Sequence, residues 1–561
     1  MNNQEEAKKF FLDGINSYSE KNYEKAIIEF EKSLSLAPNR PSILLNLSKS
    51  YFQIKNYREA KKNLQILLSL NNCEQEKKDA LKTILEIYTK ENNIDEIIYN
   101  NKKINISNIE NKVQFLKYKL FYPSLFSSEE QINNARKNIE SNIDELIHSK
   151  DCPKLDLENV IIDPINFWLS YDGKDNLGIY KKLIKLYSKI YQIEDEEELK
   201  FEKNSDKIKI GFISEFFTDH TIIKWFKGII YKLDKNKFEV SVFHSDKTLP
   251  GIKFEEIKRN EFLYGYENIF LPKNFHEKKK LIQDKKLDVL FYTDIHMSSN
   301  LYFLTLFKLA RYQMTTWGHP ETTGNKKIDF YLSSKLVETE GYQEKYSEKV
   351  ILSDLLPLYI YKPEIKSKLD KDQLSKKNIY SCPQAIFKMH PSFDKAIKKI
   401  LNKDRKAEMF FLKDKNKILY KQFYKRLKNT LGNEIDRVKF LDPISVEGFI
   451  NHCGQASVLL NPFIFGSGNS FMESMYYGTP TVSMHTDYMK SRIVTGTYKQ
   501  MEILDAPVFS DIDDYVEKSI EISNKGDSDL KKYYADQANK YIFDNDNFIK
   551  EFEEIITSTV N

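Results

Sequence analysis

Cysteine is scarce: Cys73, Cys152, Cys382 and Cys453 are the only four in 561 residues, far apart and without paired spacing. That argues against a disulfide framework and against a cysteine-based zinc site, and it suits a reducing compartment. Long apolar runs are missing too, since no stretch approaches the ~18 apolar residues needed to span a bilayer. The N-terminal MNNQEEAKKFF is polar and charged, without the apolar core of a secretory leader, so a cytoplasmic location is expected. An excess of one charge is also absent: 86 Lys and Arg against 82 Asp and Glu give +4, which is no footprint for nucleic acid. What is present is a chain with 41% apolar and 30% charged residues, a composition that suits several globular domains with full cores.

Residues 7 to 72 repeat themselves. Phe10, Gly14, Ala26, Phe30 and Pro38 recur as Leu44, Ser48, Ala60, Leu64 and Asn72, a shift of about 34 residues, which is the tetratricopeptide period. Small residues at Gly14, Ala26 and Ala60 fit paired helices in close approach, and Leu85, Tyr88 and Ile97 point to a degenerate third pair ending near Asn105. Helical spacing continues from Ile132 through Ala135, Ile139 and Ile143, and again up to Ile190. The acidic stretch Glu194 to Glu198 reads as a solvated linker.

At Lys207 the period changes to that of strands alternating with helices. Ile208 to Ser214, Phe238 to Phe243, Leu287 to Tyr292, Gln313 to Trp317 and Asp329 to Ser333 form one series. Asn378 to Ser381, Ala407 to Leu412, Arg437 to Leu441, Ser457 to Leu460 and Thr481 to Met484 form a second. Such alternation predicts two parallel, doubly wound sheets with a ligand cleft at their facing carboxyl ends. The fold class expected is therefore α/β with an N-terminal all-α repeat domain. Four segments follow: repeats over 1–105, a helical connector over 106–200, a first Rossmann-like domain over 201–370 and a second over 371–561. The lysine-rich segment Pro363 to Lys377 is the natural hinge.

One stretch organises the second series, NPFIFGSGNSFMESMYYGTP from Asn461 to Pro480. A buried strand stopped by proline leads into Gly466, Ser467, Gly468, Asn469 and Ser470, small residues that form a loop and cap the helix expected over Phe471 to Tyr477. Backbone N–H groups at such a helix start suit a diphosphate, and Glu473 in the first turn is in reach of a ribose hydroxyl. In the Asp511-Ile-Asp-Asp run the bland reading, helix capping, is preferred over a metal site, and no catalytic metal is predicted.

The loop resembles the donor-nucleotide loop of glycosyltransferase family 41, the family of O-GlcNAc transferase and the bacterial cytoplasmic N-glucosyltransferases. Asn461-Pro-Phe-Ile-Phe-Gly is closer to the bacterial version, and Gly468-Asn469-Ser470 stands where O-GlcNAc transferases carry His-Thr-Thr. Two further stretches carry the resemblance. Gly211-Phe-Ile-Ser-Glu-Phe-Phe-Thr-Asp-His, ending at His220, is similar to the family's first catalytic-domain strand and its active-site histidine, with Lys224 where a second histidine is usual. Trp317-Gly-His-Pro-Glu-Thr-Thr-Gly, followed by Asp329-Phe-Tyr, is similar to a second signature, whose hydroxyls and backbone N–H groups are expected to face the cleft near the sugar. Asp288 and His296 lie in a segment like the family's Asp-x-Leu...Gly-His, with Ile295 in place of glycine. In Gln384-Ala-Ile-Phe-Lys-Met-His-Pro, Lys388 matches the lysine that contacts the donor diphosphate.

The resemblance implies a GT-B glycosyltransferase that moves a sugar from a UDP-sugar, UDP-GlcNAc or a UDP-hexose, to a protein Ser/Thr or Asn side chain. It implies inversion without metal and no cofactor beyond the UDP-sugar co-substrate. His220, Asp288 and His296 are the expected catalytic residues. Lys388, Gln384, Gly466, Gly468, Asn469, Ser470, Glu473 and His319 are expected to bind the donor. The acceptor is a protein or peptide, surface proteins among the candidates. A rival reading is a non-catalytic helical-repeat adaptor that binds or stabilises a partner glycosyltransferase, which the substitutions at Lys224, Ile295 and Gly468 would suit.

Overall fold

The computed structural model describes residues 3–194, 206–218, 220–244, 266–366 and 378–561. Residues 195–198 of the expected acidic linker, 367–377 of the expected hinge and Asp219 lie outside them. The chain divides into two compact units. The first comprises residues 1–123, 133–145 and 149–153; the second comprises 124–132, 146–148 and 154–561.

The first unit opens with helix pairs. Asn3–Ser19 and Tyr23–Leu36 make the first, Pro41–Gln53 and Tyr57–Ser69 the second, and Glu74–Lys90 and Ile94–Tyr99 the third. The same turn joins each pair. Lys21, Lys55 and Asn92 take positive φ, and the asparagine that follows each of them caps the next helix by accepting from the N–H of Lys25, Glu59 or Glu96. Gly14 is required by contact: a Cβ there would come within 2.6 Å of the Phe30 ring. Ala26 and Ala60 are wholly buried for the same reason, and Leu85, Tyr88 and Ile97 fill the third pair.

The second unit holds two all-parallel sheets. The first contains β1 (Ile208–Ser214), β2 (Phe238–His244), β3 (Glu267–Phe270), β4 (Val289–Tyr292), β5 (Tyr312–Thr316), β6 (Phe330–Ser334) and β7 (Lys349–Ser353), in the order β3-β2-β1-β4-β5-β6-β7. The second contains β8 (Asn378–Cys382), β9 (Ala407–Leu412), β10 (Val438–Leu441), β11 (Val458–Leu460), β12 (Thr481–Met484) and β13 (Val508–Phe509), in the order β10-β9-β8-β11-β12-β13. Both orders reverse beside the first strand, which creates a crevice at the carboxyl ends of β1 and β4 and of β8 and β11. The strand ranges agree with those read from the sequence to within a residue or two, and β3, β7 and β13 are additional.

The last helix, Asn547–Val560, crosses back to the first sheet. Its Phe552 ring lies 6.2 Å from Phe212 and 5.5 Å from Phe291. By packing, therefore, the end of the segment expected over 371–561 belongs with the first sheet. The helix Met489–Gln500 contributes Ile493, Val494 and Tyr498 to that same core.

Candidate donor and acceptor site

β11 is followed by Asn461, and this buried side chain shapes the loop beyond it. Its Oδ1 accepts from Ser467 N at 2.7 Å and Ser467 Oγ at 2.6 Å, while its Nδ2 donates to Ser483 Oγ at 2.8 Å. The turn is tight enough that a Cβ on Gly466 would sit 3.0 Å from Asn461 Nδ2. Across the crevice, the turn after β8 brings Gln384 and Lys388 to this loop. Gln384 Nε2 donates to Ser470 Oγ at 2.7 Å, and Lys388 Nζ donates to Gly466 O at 3.2 Å while lying 4.8 Å from the centre of the Phe465 ring. Burial lowers the Lys388 ammonium to about 8. Gln384, Lys388, Gly466 and Ser470 thus meet at one place.

The helix after the loop is shorter than expected, Asn469–Ser474 rather than Phe471 to Tyr477, and Gly468 caps it without a side-chain bond. So short a helix has little dipole of its own, and cationic side chains are the main source of positive charge at the loop. Asn469 keeps a buried Oδ1 without a partner among the described residues. Glu473 receives Lys224 Nζ on Oε1 at 2.7 Å, a bond that joins the two sheets' sides of the crevice.

From the first sheet, the turn after β5 delivers His319. It is buried, both ring nitrogens lack a partner among the described residues, and its ring lies 5.0 Å from Phe167, 5.7 Å from Phe465 and 5.5 Å from His296. Burial first, then the nearby His296, Lys490 and Lys388, holds its imidazole well below the usual histidine range, so the ring is neutral near pH 7. His296 is neutral as well, lowered to about 4 by burial; its Nε2 lies 3.0 Å from Thr322 O, and its ring stacks on Tyr180 at 5.1 Å. Sequence reasoning missed Lys490. Its ammonium is buried against Glu321, which also accepts from Asn176 Nδ2 at 3.0 Å. No local pattern marks Lys490 among so many lysines, because its partner lies 169 positions away.

Of two further expected residues, one stands apart from this cluster and the other caps a helix beside it. Asp288 precedes β4, and its Oδ2 accepts from Lys209 N at 2.9 Å beside the start of β1. That is the amino end of the sheet, about 13 Å from the crevice at ~3.3 Å per strand residue, so a strand-entry role replaces a catalytic one. His220 is at the carboxyl end of β1, but it caps the helix Thr221–Lys232, its Nδ1 accepting from Ile222 N at 3.3 Å. Another carboxylate, Asp294, sits at the crevice. It is fully buried, accepts from Ser214 Oγ and Thr293 Oγ1, and is raised by burial to about 7. Asp511 caps the helix Ile512–Lys525, accepting from Asp513 N and Asp514 N.

No family profile matches the chain. Among curated proteins it is 21% identical over 336 residues to "Probable UDP-N-acetylglucosamine--peptide N-acetylglucosaminyltransferase SPINDLY" of Solanum lycopersicum, a match covering 56% of this chain and 34% of that protein. The similarly named SEC protein of Arabidopsis thaliana is 18% identical over 369 residues, covering 63% of this chain and 37% of SEC. The chain thus spans about a third of the length of these relatives. Among solved structures, a mutant O-GlcNAc transferase of Thermobaculum terrenum shares the fold with a TM-score of 0.60 at 13% identity, covering 100% of this chain and 98% of that one. In sequence the chain is thus similar to proteins named as peptide N-acetylglucosaminyltransferases, and in fold to an O-GlcNAc transferase, with N-terminal helical pairs followed by the paired parallel sheets of a GT-B fold.

Proposed function

We propose that the chain transfers a sugar from a UDP-sugar to a Ser/Thr or Asn side chain of a protein, with inversion and without metal. The observation that carries this reading is the Lys388 ammonium, half-buried and held against Gly466 O, at the carboxyl ends of β8 and β11. When the bond from the anomeric carbon to the diphosphate oxygen breaks, negative charge grows on UDP. A cation already held in place and partly shielded from water stabilises that charge with little reorganisation. The acceptor attacks from the opposite face, and its proton leaves to a base or to solvent. The neutral imidazoles of His319 and His296 suit hydrogen bonding to sugar hydroxyls better than charge compensation, since burial disfavours their protonation. His220 acts by placing the start of its helix. The names of the curated relatives favour UDP-GlcNAc as donor, whereas the Asn461-Pro-Phe-Ile-Phe-Gly loop favours a hexose.

The adaptor reading predicts no dependence on Lys388. Transfer from labelled UDP-GlcNAc and UDP-glucose to a peptide library should be measured for the wild type and Lys388→Ala. We expect kcat to fall by about a hundredfold in the variant. Equal turnover in both proteins, or none in the wild type with any UDP-sugar, would count against the proposal.

A further inference from the structure

Three departures from the family pattern sit at Lys224, Ile295 and Gly468, and two of them meet on the same pair of elements. The helix Thr221–Lys232 presents consecutive residues, Lys224 and Trp225, to the nucleotide loop. Lys224 Nζ donates to Glu473 Oε1 at 2.7 Å, with the carboxylate mostly buried and the ammonium about one-third exposed. Trp225 occupies the space beside Gly468: a Cβ on that glycine would lie 2.8 Å from Trp225 Cη2 and 2.9 Å from Cζ2. Glycine at 468 is therefore what the indole requires, and the indole N–H, buried, has no partner among the described residues. Lys224 stands one turn after the cap His220, its N–H 3.4 Å from His220 O, so the cap fixes the direction from which lysine and indole approach the loop.

We propose that Lys224 is a positioning residue of the donor site that acts through Glu473. This inference rests on the UDP-sugar reading. Engaged on Oε1, the ammonium fixes the Glu473 rotamer so that Oε2 accepts a ribose hydroxyl, and the Trp225–Gly468 contact sets the height of the loop above the first sheet. The substitutions at 224 and 468 then form one complementary set instead of the scattered losses of a decayed site. A partly exposed ion pair contributes little to stability by itself, so the effect belongs in recognition of the ribose.

The test is calorimetric titration of UDP, 2′-deoxy-UDP and 3′-deoxy-UDP into the wild type, Lys224→Met, Lys224→Arg, Glu473→Gln and the Lys224→Met/Glu473→Gln double variant. The wild type should prefer UDP over at least one deoxy analogue by about tenfold, as expected for a hydrogen bond to a charged group. Lys224→Met should shrink that ratio to near one, Lys224→Arg should restore it, and the double variant should match Glu473→Gln alone. Wild-type discrimination retained in Lys224→Met or in Glu473→Gln would overturn the inference. So would a wild type that binds UDP and both analogues equally, while leaving the donor site standing; a wild type that binds no UDP would overturn both. Thermal melting of each variant separates loss of ribose recognition from loss of fold.

Discussion

Lys388 shows how one residue among many of its type is set apart by its surroundings. In sequence it is one lysine among many, and only the Met-His-Pro that follows marks it. In the structure it is held on the loop after β11, lowered to about 8 by burial. That value gives a pH dependence with a definite sign. A bound diphosphate favours the charged ammonium and raises its pKa above that of the free protein, so binding takes up a proton when the pH is near or above 8. Affinity for UDP should therefore be nearly flat around pH 7, be about halved by pH 8 and fall by up to about tenfold per unit above that. Calorimetry in buffers of different ionisation enthalpy would show the proton uptake directly, and a constant affinity up to pH 9.5 would contradict it. Residues read by local pattern were the ones legible in sequence: Gln384, Lys388 and the loop from Gly466 to Ser470 lie in two short stretches that the fold brings together. Lys490 and the pairing of Glu473 with Lys224 were not legible, because each contact closes over 169 and 249 positions.

The turn that carries Lys388 is anchored by an element farther along the chain. Arg426, on the helix Lys417–Leu431, donates Nε and Nη2 to Asp394 at 2.8 and 2.9 Å, Nη2 to Met389 O at 2.7 Å, and Nη1 to Phe126 O at 2.7 Å. Both side chains of the pair are buried. Removing the guanidinium leaves a buried carboxylate and two buried carbonyls without it. Arg426→Met should therefore cost about 3–5 kcal/mol in urea unfolding, with part recovered by adding Asp394→Asn. A loss below about 1 kcal/mol would show that the anchor is not needed. At this scale the sequence was readable wherever an element was long or strongly periodic. The repeat helices and the inner strands β1, β2, β4, β5, β8 and β9 stood out. The additional strands β3, β7 and β13 lie at the outer edges of their sheets, β13 only two residues long, and all three lack the buried apolar run that marks an inner strand. The helix after Gly468 differs from the expected range by a few residues because Asn469 and Ser470, read as cap and loop, already belong to its first turn.

Taken as a whole, the molecule joins a helical-repeat unit and a unit of two parallel sheets in one chain, with no helix among the described residues long and apolar enough to cross a membrane. The division of the chain into repeats and two strand series was legible from periodicity alone. The return of the C-terminal helix to the first sheet was not, since an amphipathic helix does not announce which sheet it covers. That return ties the chain's end to the sheet whose helix carries Lys224 and Trp225, so the two sides of the crevice are linked at the ion pair and again at Phe552. The central claim is that this crevice holds a UDP-sugar without metal. The most direct measurement is calorimetric titration of UDP into the full chain in EDTA, with UDP-glucose and UDP-GlcNAc as the next ligands. Micromolar, one-to-one binding of UDP that is abolished by Lys388→Ala is the result this account predicts; absence of binding by any uridine nucleotide, or binding unchanged by that substitution, would contradict it.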